Sequence, residues 1–385
     1  MDNLVTYILV LSLVLVLSPY LSKFFRLPTA PIEIIIGSIL GYVGLISVGK
    51  GGNHYFDLIA EVGFLYLMFL AGLEISLKSI DKMPKEHISQ AIIFLLILPT
   101  LSLFIGYFIL DANLIVIIAL PLISVGLLAT LSKEHGKSTQ WISIALLIGA
   151  LGEVLSITTL TIIEFVAEVG LSMALLSKLL WLLVFILIIL LLYYLFCLIF
   201  WWYPELKIVM MPHLDNKDQD LRLAMGIFFI MIAIMHLLHF DLAFGAFIAG
   251  LFISTFFHHK KELEEKMSSF GFGFLVPLFF IHVGASFDYS YFVESIGTAT
   301  EILTVMIIIR LLSSLSLVRL IGFKESILVA LALSMPLTLL VAVATVGYHH
   351  EMITQHYYYA IILASLLEVI VSMIGIKYLI KRKKH

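Results

Sequence analysis

The chain is a series of long apolar segments joined by short polar connections. A helix needs roughly 20 mainly apolar residues to cross the hydrocarbon core of a bilayer, so this pattern indicates membrane-spanning helices. Hydrophobic residues make up 62% of the sequence and charged residues 13%, whereas an ordinary soluble domain carries about 25% charged residues. The formal net charge of −3 shows no basic excess that would suggest a nucleic-acid partner. We therefore predict an all-α polytopic membrane protein.

Thirteen segments are predicted to span the membrane. With the N-terminus outside, 20 of the 23 lysines and arginines fall on the inner side and only Lys50 and Lys178 on the outer side. Cytoplasmic loops carry such an excess, so we predict an outer N-terminus and a cytoplasmic C-terminus whose basic end also suits anionic membrane lipid. The predicted spans are 4–22, 31–49, 56–74, 88–110, 113–131, 142–165, 174–202, 221–239, 242–256, 270–287, 297–318, 325–347 and 357–378.

Two segments far apart in the chain resemble each other. Residues 63–74 begin Gly-Phe-Leu-Tyr and residues 273–285 begin Gly-Phe-Leu-Val, in spans 3 and 10. Spans seven apart run in opposite directions, and inverted repeats of this kind build many secondary transporters. We predict a first repeat over 1–165 (spans 1–6), a linker helix and cytoplasmic connector over 166–220, and a second repeat over 221–385 (spans 8–13 and a short basic tail). Chance similarity between helices rich in Phe, Leu and Gly is the alternative.

Glu153 lies in the middle of span 6, where an ionisable side chain is costly and needs a reason. Gly149 and Gly152 clear space on one face of this helix, and Ser156 lies about one turn further on. The functional interpretation is a carboxylate in a wet cavity that binds either a proton or a monovalent cation. The alternative is a protonated glutamate that is hydrogen-bonded to a neighbouring helix.

Arg310 is the one basic residue in the middle of a predicted span. Its guanidinium stays charged, so it must face an acid, carbonyl groups or water. It either tunes the cation site as a counter-charge or braces two helices, and the sequence leaves both open. Glu368, deep in span 13, is a secondary site candidate, although a polar tie between helices is the preferred interpretation. His236 and His282 are predicted to be hydrogen-bonded packing residues rather than proton relays.

Two spans carry helix-breaking residues. Pro121 and Gly126 interrupt span 5 with Ser124 between them, and Pro336, preceded by Ser334, interrupts span 12. Interrupted spans at matching places in two halves are a sequence indication of a binding site, because the broken ends offer free carbonyl and amide groups. Ordinary proline kinks, which are common in membrane helices, are the alternative.

Four segments, in this order along the chain, are similar to the monovalent cation:proton antiporter superfamily. They are 31–45, 60–74, 242–250 and 277–284, and the second is close to the most specific signature of the family. The resemblance is to the cation:proton antiporter-2 branch, which holds bacterial sodium/proton antiporters and potassium efflux antiporters. It implies two inverted repeats with two crossing broken helices, a homodimer, and location in the inner or plasma membrane. Unlike the potassium efflux members, the chain is expected to carry no soluble regulatory domain.

The resemblance also assigns residues to the ion site. The ion-binding pair of the family lies on the helix after a Lys-Glu-x-Gly turn, which here is 133–136, and Glu153 stands where the family has its aspartate. The residue before it is a glycine, whereas the family has Asp, Asn or Gln. Ser124 matches a serine of the unwound helix, and the adjacent threonine has become Val125. Arg310 falls where the family carries lysine or arginine.

These residues predict a secondary transporter rather than an enzyme, with no cofactor. Na+, or alternatively K+ or Li+, is predicted to exchange for H+ at Glu153. The other ligands of this monovalent-cation site are predicted to be Ser124, carbonyl groups near Gly126 and water. One titrating acid beside a permanently charged Arg310 predicts electroneutral exchange. By resemblance, spans 4–6 and 11–13 move against spans 1–3 and 8–10. An organic-anion/sodium symporter of related architecture or an ion channel are the alternatives.

Overall fold

The computed structural model describes most of the chain. The described residues are 2–25, 28–48, 53–74, 83–125, 128, 139–170, 172–203, 205, 218–238, 240, 242–257, 261–287 and 289–381. In these ranges the regular secondary structure is entirely helical, so the predicted all-α membrane fold is confirmed. Nine helices within these ranges are long and apolar enough to cross a bilayer, and shorter apolar helices accompany them.

Each of the thirteen predicted spans contains a helix, and we number the helices by span. Spans 5 and 12 are interrupted, as their prolines predict, and the two parts of span 12 are α12a and α12b. The bounds are α1 Asp2–Phe25, α2 Thr29–Tyr42, α3 His54–Glu74, α4 Lys85–Phe108, α5 Leu114–Ala119, α6 Gln140–Val169, α7 Met173–Trp202, α8 Gln219–Leu238, α9 Leu242–Phe257, α10 Lys261–Phe270 continued by a π-helical turn Gly271–Leu275 and by Val276–Ala285, α11 Phe292–Ser314, α12a Phe323–Leu333, α12b Leu337–His349 and α13 Gln355–Lys381.

Two predicted boundaries differ from the observed helix ends by more than six residues. Span 2 was expected to reach residue 49 but ends at Tyr42, because the chain turns at Gly44, whose φ of +76° is left-handed. Span 10 was expected to begin at residue 270, but its helix already begins at Lys261. The added turns are charged, so hydropathy misses them, yet Leu263 and Met267, four residues apart, are buried on one face.

The helices form two bundles, with α7 outside both. The core bundle comprises α4, α5, α6, α11, α12 and α13, and the scaffold bundle comprises α1, α2, α3, α8, α9 and α10. Within the core bundle, both halves of α12 pack against α6 and α13, and α12b also contacts α5. The α7 helix packs on α6 and exposes most of its apolar side chains, as expected for a helix that faces lipid.

The scaffold bundle contains two helix crossings that repeat the same contact. At each crossing, α2 with α10 and α3 with α9, a Cβ added to a glycine of either helix would collide with the carbonyl oxygen of a residue on the other. Small residues permit such close approach. Exchanging the two halves of the chain converts one crossing into the other, which supports the inverted repeat predicted over 1–165 and 221–385. The four glycines, each with the residue it meets, are Gly37 with Ile281, Gly284 with Ile34, Gly72 with Phe247, and Gly250 with Phe69.

Candidate functional site

The first helix break leaves a non-helical segment, 122–125, against the middle of α6. The α5 helix ends at Ala119, and the ring of Pro121 supplies no amide hydrogen with which a helix could continue. The amides of this segment need other partners because they are buried. The Ile123 amide donates to Ser156 Oγ at 3.0 Å, and the Val125 amide donates to Glu153 Oε2 at 2.9 Å. We call 122–125 the unwound segment.

Glu153 is fully buried, and the unwound segment contacts both of its carboxyl oxygens. Besides the Val125 amide on Oε2, the Ser124 hydroxyl donates to Oε1 at 3.2 Å. Gly152 makes this approach possible, since a Cβ there would lie 2.8 Å from Ile123 Cδ1. A serine hydroxyl can donate or accept, so the same partner suits Glu153 with and without a proton. The structure therefore brings together Glu153, Ser124, Gly152 and Ser156 around one buried carboxyl group.

Arg310 reaches the same segment from α11, through its backbone. Its Nη2 donates to the Leu122 carbonyl oxygen at 2.6 Å, and its Nη1 donates to the Met306 carbonyl oxygen at 3.0 Å. Nη1 also donates to Glu368 Oε1 at 3.0 Å, and the arginine and glutamate side chains are both 0% exposed. Both sequence candidates thus lie beside the site, and they contact each other rather than Glu153.

The second helix break lies between α12a and α12b, and its polar contacts go elsewhere. The Ser334 hydroxyl donates to the Ala330 carbonyl oxygen at 2.9 Å, and the Ser334 carbonyl accepts a hydrogen bond from Ser372 Oγ of α13 at 3.1 Å. Pro336 stands at the start of α12b. The residues of this break therefore support α13 instead of contacting Glu153. Gly126 and the predicted turn 133–136 lie outside the described residues.

A cleft of about 350 Å³ opens between the core and scaffold bundles. Glu164 of α6 lines it, about three turns or roughly 16 Å from Glu153 along the same helical face. Ile157 and Leu160 stand on that face between them and are buried, so the cleft stops short of Glu153 in this conformation. The remaining lining residues are Glu61, Phe64, Leu65, Phe165, Glu168, His236, Phe240, Leu242 and His350.

The structure also contains polar contacts that the sequence interpretation missed. Glu33 of α2 is 2% exposed and accepts a hydrogen bond from Ser18 Oγ at 3.1 Å. Its position inside an apolar run was the same signal that pointed to Glu153. The partner of His282 is Asp57, at 2.9 Å between Nε2 and Oδ1. Nothing in the sequence pairs these two residues, because they come from α3 and α10.

A broken helix against a buried carboxyl group, in a chain built of membrane-spanning helices, is an arrangement typical of secondary transporters. Residues 10–382 match the model of the family described as sodium/hydrogen exchanger, transmembrane. The chain belongs to this family, so the predicted membership in the monovalent cation:proton antiporter superfamily is confirmed.

Three proteins illustrate the relationship. The chain is 28% identical to YjbQ of Bacillus subtilis, which is named as an Na+/H+ antiporter; the match covers 99% of the chain but only 64% of the relative's length. It is 25% identical to the Na+/H+ antiporter of Enterococcus hirae, with 98% of each protein covered. The fold is similar to that of the sodium proton antiporter MjNhaP1 from Methanocaldococcus jannaschii, with a TM-score of 0.70, 18% identity, and coverage of 97% of this chain and 99% of the other.

Proposed function

We propose that the protein exchanges Na+ for H+ across the membrane at Glu153. This function is supported by the fully buried carboxyl group of Glu153, whose two oxygens accept hydrogen bonds from a serine hydroxyl and a backbone amide of a broken helix. These neutral partners leave the carboxyl group free to change its charge. The names of the related proteins favour Na+ as the cation, and K+ and Li+ belong in the same screen. No cofactor and no enzymatic step is needed.

Exclusive occupancy couples the two ions. When Glu153 is protonated on Oε1, its O–H would donate a hydrogen bond to Ser124 Oγ, so the serine hydroxyl changes from donor to acceptor, while Oε2 still accepts from the Val125 amide. A cation would instead be bound by the ionised carboxylate, the Ser124 oxygen, carbonyl groups of the unwound segment and water. Because proton and cation compete for one group, the apparent KM for Na+ should fall as the pH rises, at unchanged maximal rate.

Alternating access is supported by the two bundles. The core bundle carries Glu153, and the cleft lies between this bundle and the scaffold bundle. Movement of the core bundle along the scaffold bundle would bring Glu153 to the cleft on one side of the membrane and to water on the other. In the present conformation Ile157 and Leu160 separate the cleft from Glu153.

We further propose one-for-one, electroneutral exchange. Glu153 is the one carboxyl group that contacts the unwound segment directly among the described residues, and the charge of Arg310 is balanced by Glu368. Clamping the membrane potential in proteoliposomes tests this stoichiometry. An electroneutral exchanger works at the same rate at 0 mV and at an imposed potential, and a rate that follows the potential would reject this stoichiometry.

The proposal includes the orientation of the protein in the membrane and its assembly as a homodimer. The distribution of lysine and arginine supports an outer N-terminus and a cytoplasmic C-terminus in the inner or plasma membrane. The α1 helix of the scaffold bundle exposes a continuous row of apolar side chains, which suits a homodimer contact or lipid. Reporter fusions at the two termini test the orientation, and cross-linking in the membrane tests the dimer.

The central experiment uses purified protein in liposomes that contain a pH-sensitive dye. An inward Na+ gradient should drive protons out of wild-type vesicles, and Glu153→Gln should reduce the signal to that of protein-free vesicles. Glu33→Gln is the matched control, because Glu33 is also buried and bonded to a serine hydroxyl but lies in the scaffold bundle. It should exchange at the wild-type rate. Native exchange by Glu153→Gln would remove Glu153 from the mechanism.

A further inference from the structure

We propose that Glu368 is a positioning residue for the exchange site. It orients Arg310, and Arg310 holds the Leu122 carbonyl and thereby the unwound segment that contacts Glu153. The inference rests on the proposed function, because it concerns how the cation site is kept in shape. The contact path runs from Glu368 of α13 through Arg310 of α11 to Leu122, without touching Glu153.

The geometry of the ion pair points to this role. Arginine and carboxylate groups often pair through two parallel hydrogen bonds, which is their strongest arrangement. Here Nη1 and Oε1 form the single contact of the pair, since Nη2 is turned to the Leu122 carbonyl. Within the described part of the chain, Arg310 Nε and Glu368 Oε2 are buried without a hydrogen-bond partner. A pair that only tied two helices together would use these atoms, so the guanidinium is held in place for Leu122.

The other polar groups of the unwound segment that contact α6 belong to the three residues that follow Leu122, so their positions change when the Leu122 backbone moves. Leu122 directly precedes Ile123, whose amide donates to Ser156 Oγ. The next residues, Ser124 and Val125, supply the hydroxyl and the amide that donate to Glu153. A shift of the Leu122 carbonyl therefore moves the partners of Glu153. Partners one step removed from an ion ligand typically change ion affinity by about 10- to 100-fold when they are altered.

Two charge-preserving substitutions test the proposal in the full-length protein. Arg310→Lys keeps the positive charge but replaces the planar fork by a single ammonium group, which is not equivalent at such a site. Glu368→Asp keeps the negative charge but withdraws it by one methylene group. We expect each to raise the apparent KM for Na+ by about tenfold while the maximal rate stays within about threefold. Arg319→Lys, at an exposed position beyond the end of α11, is the matched control and should leave both values unchanged.

In the two single variants, either of two results would overturn the proposal. Native KM values in both variants would mean that the pair does not position the segment. A maximal rate that collapses in Glu368→Asp at unchanged KM would make Glu368 an exchanging group instead.

If either variant fails to fold, the double variant Arg310→Gln/Glu368→Gln replaces it, because the double variant leaves no unpaired buried charge. The double variant lacks the guanidinium that donates to the Leu122 carbonyl, so its apparent KM for Na+ should also rise. A native KM in the double variant would refute the proposal. Wild-type protein that shows no Na+/H+ exchange would refute the proposed function itself.

Discussion

Glu153 and Glu368 occupy corresponding helices of the two predicted repeats, α6 and α13, and both side chains are 0% exposed. Their partners differ. Glu153 is contacted by a hydroxyl and an amide, which are neutral, whereas Glu368 faces a guanidinium. A neutral shell lets a buried carboxyl group gain and lose charge, whereas a neighbouring cation favours the ionised form. Burial alone therefore does not distinguish Glu153, the proposed exchanging acid, from Glu368; the charge of the partner does.

The largest effect on stability is expected from breaking the ion pair on one side. Arg310→Ala leaves the buried charge of Glu368 without a partner, which should lower the free energy of unfolding by about 3–5 kcal/mol. Thermal or denaturant unfolding in detergent measures this effect. Glu368→Gln/Arg310→Gln, which removes both charges, should recover most of the loss. Equal stability of Arg310→Ala and wild type would show that Glu368 is not ionised.

The next largest effect is expected from filling the gap at Gly152. A Cβ there would lie 2.8 Å from Ile123 Cδ1 and 3.0 Å from Ile123 Cβ, so Gly152→Ala displaces the Ile123 side chain and presses, through its Cβ, on the unwound segment. We expect a loss of about 1–3 kcal/mol in unfolding free energy together with weaker Na+ binding, since overpacking moves the partners of Glu153. Gly226→Ala is the control, because nothing lies within 4 Å of the added Cβ at that position. Unchanged Na+ affinity in Gly152→Ala would separate the segment from the ion site.

A smaller effect is expected at the hydroxyl that contacts Glu153. Ser124→Ala removes one hydrogen bond to the carboxyl group, worth about 1 kcal/mol, which corresponds to roughly a fivefold rise in the apparent KM for Na+. Ser334→Ala makes the same change in the second helix break, where the hydroxyl bonds Ala330. Its KM should stay at the wild-type value. If both variants respond equally, the two breaks contribute equally to the cation site, which would contradict the assignment of that site to the contact between Ser124 and Glu153.

The smallest effect is expected on the stability of the exchanging site. Glu153→Gln keeps the shape of the side chain: its amide oxygen accepts from the Val125 amide and its nitrogen donates to Ser124 Oγ. The free energy of unfolding should therefore change by less than about 1 kcal/mol, although exchange is lost. A large loss of stability in Glu153→Gln would indicate that this carboxyl group, like Glu368, is ionised and structural.

Much of this arrangement follows from composition and local chemistry. Apolar runs of membrane-spanning length predict the helices, the prolines at 121 and 336 predict both breaks, and a mid-span acid predicts a site at Glu153. The site at Glu153 stays a prediction, which rests on the cost of a buried charge. The predictions of helices and breaks succeed because a bilayer forces backbone groups to pair within each segment. They fail at the start of α10, where a charged amphipathic helix does not register as a span.

The linear order of residues therefore accounts for the all-helical membrane fold, for a helix in each predicted span, and for the place of Glu153 in the middle of α6. It does not reveal that Glu368 faces Arg310 or that Arg310 reaches the Leu122 carbonyl, because these groups are separated by 58 and 188 residues. Which of two equally buried glutamates can change its charge depends on neighbours that meet only when the helices pack. Each helix forms from its own hydrogen bonds, whereas the properties of its charged groups are set by the helices around it.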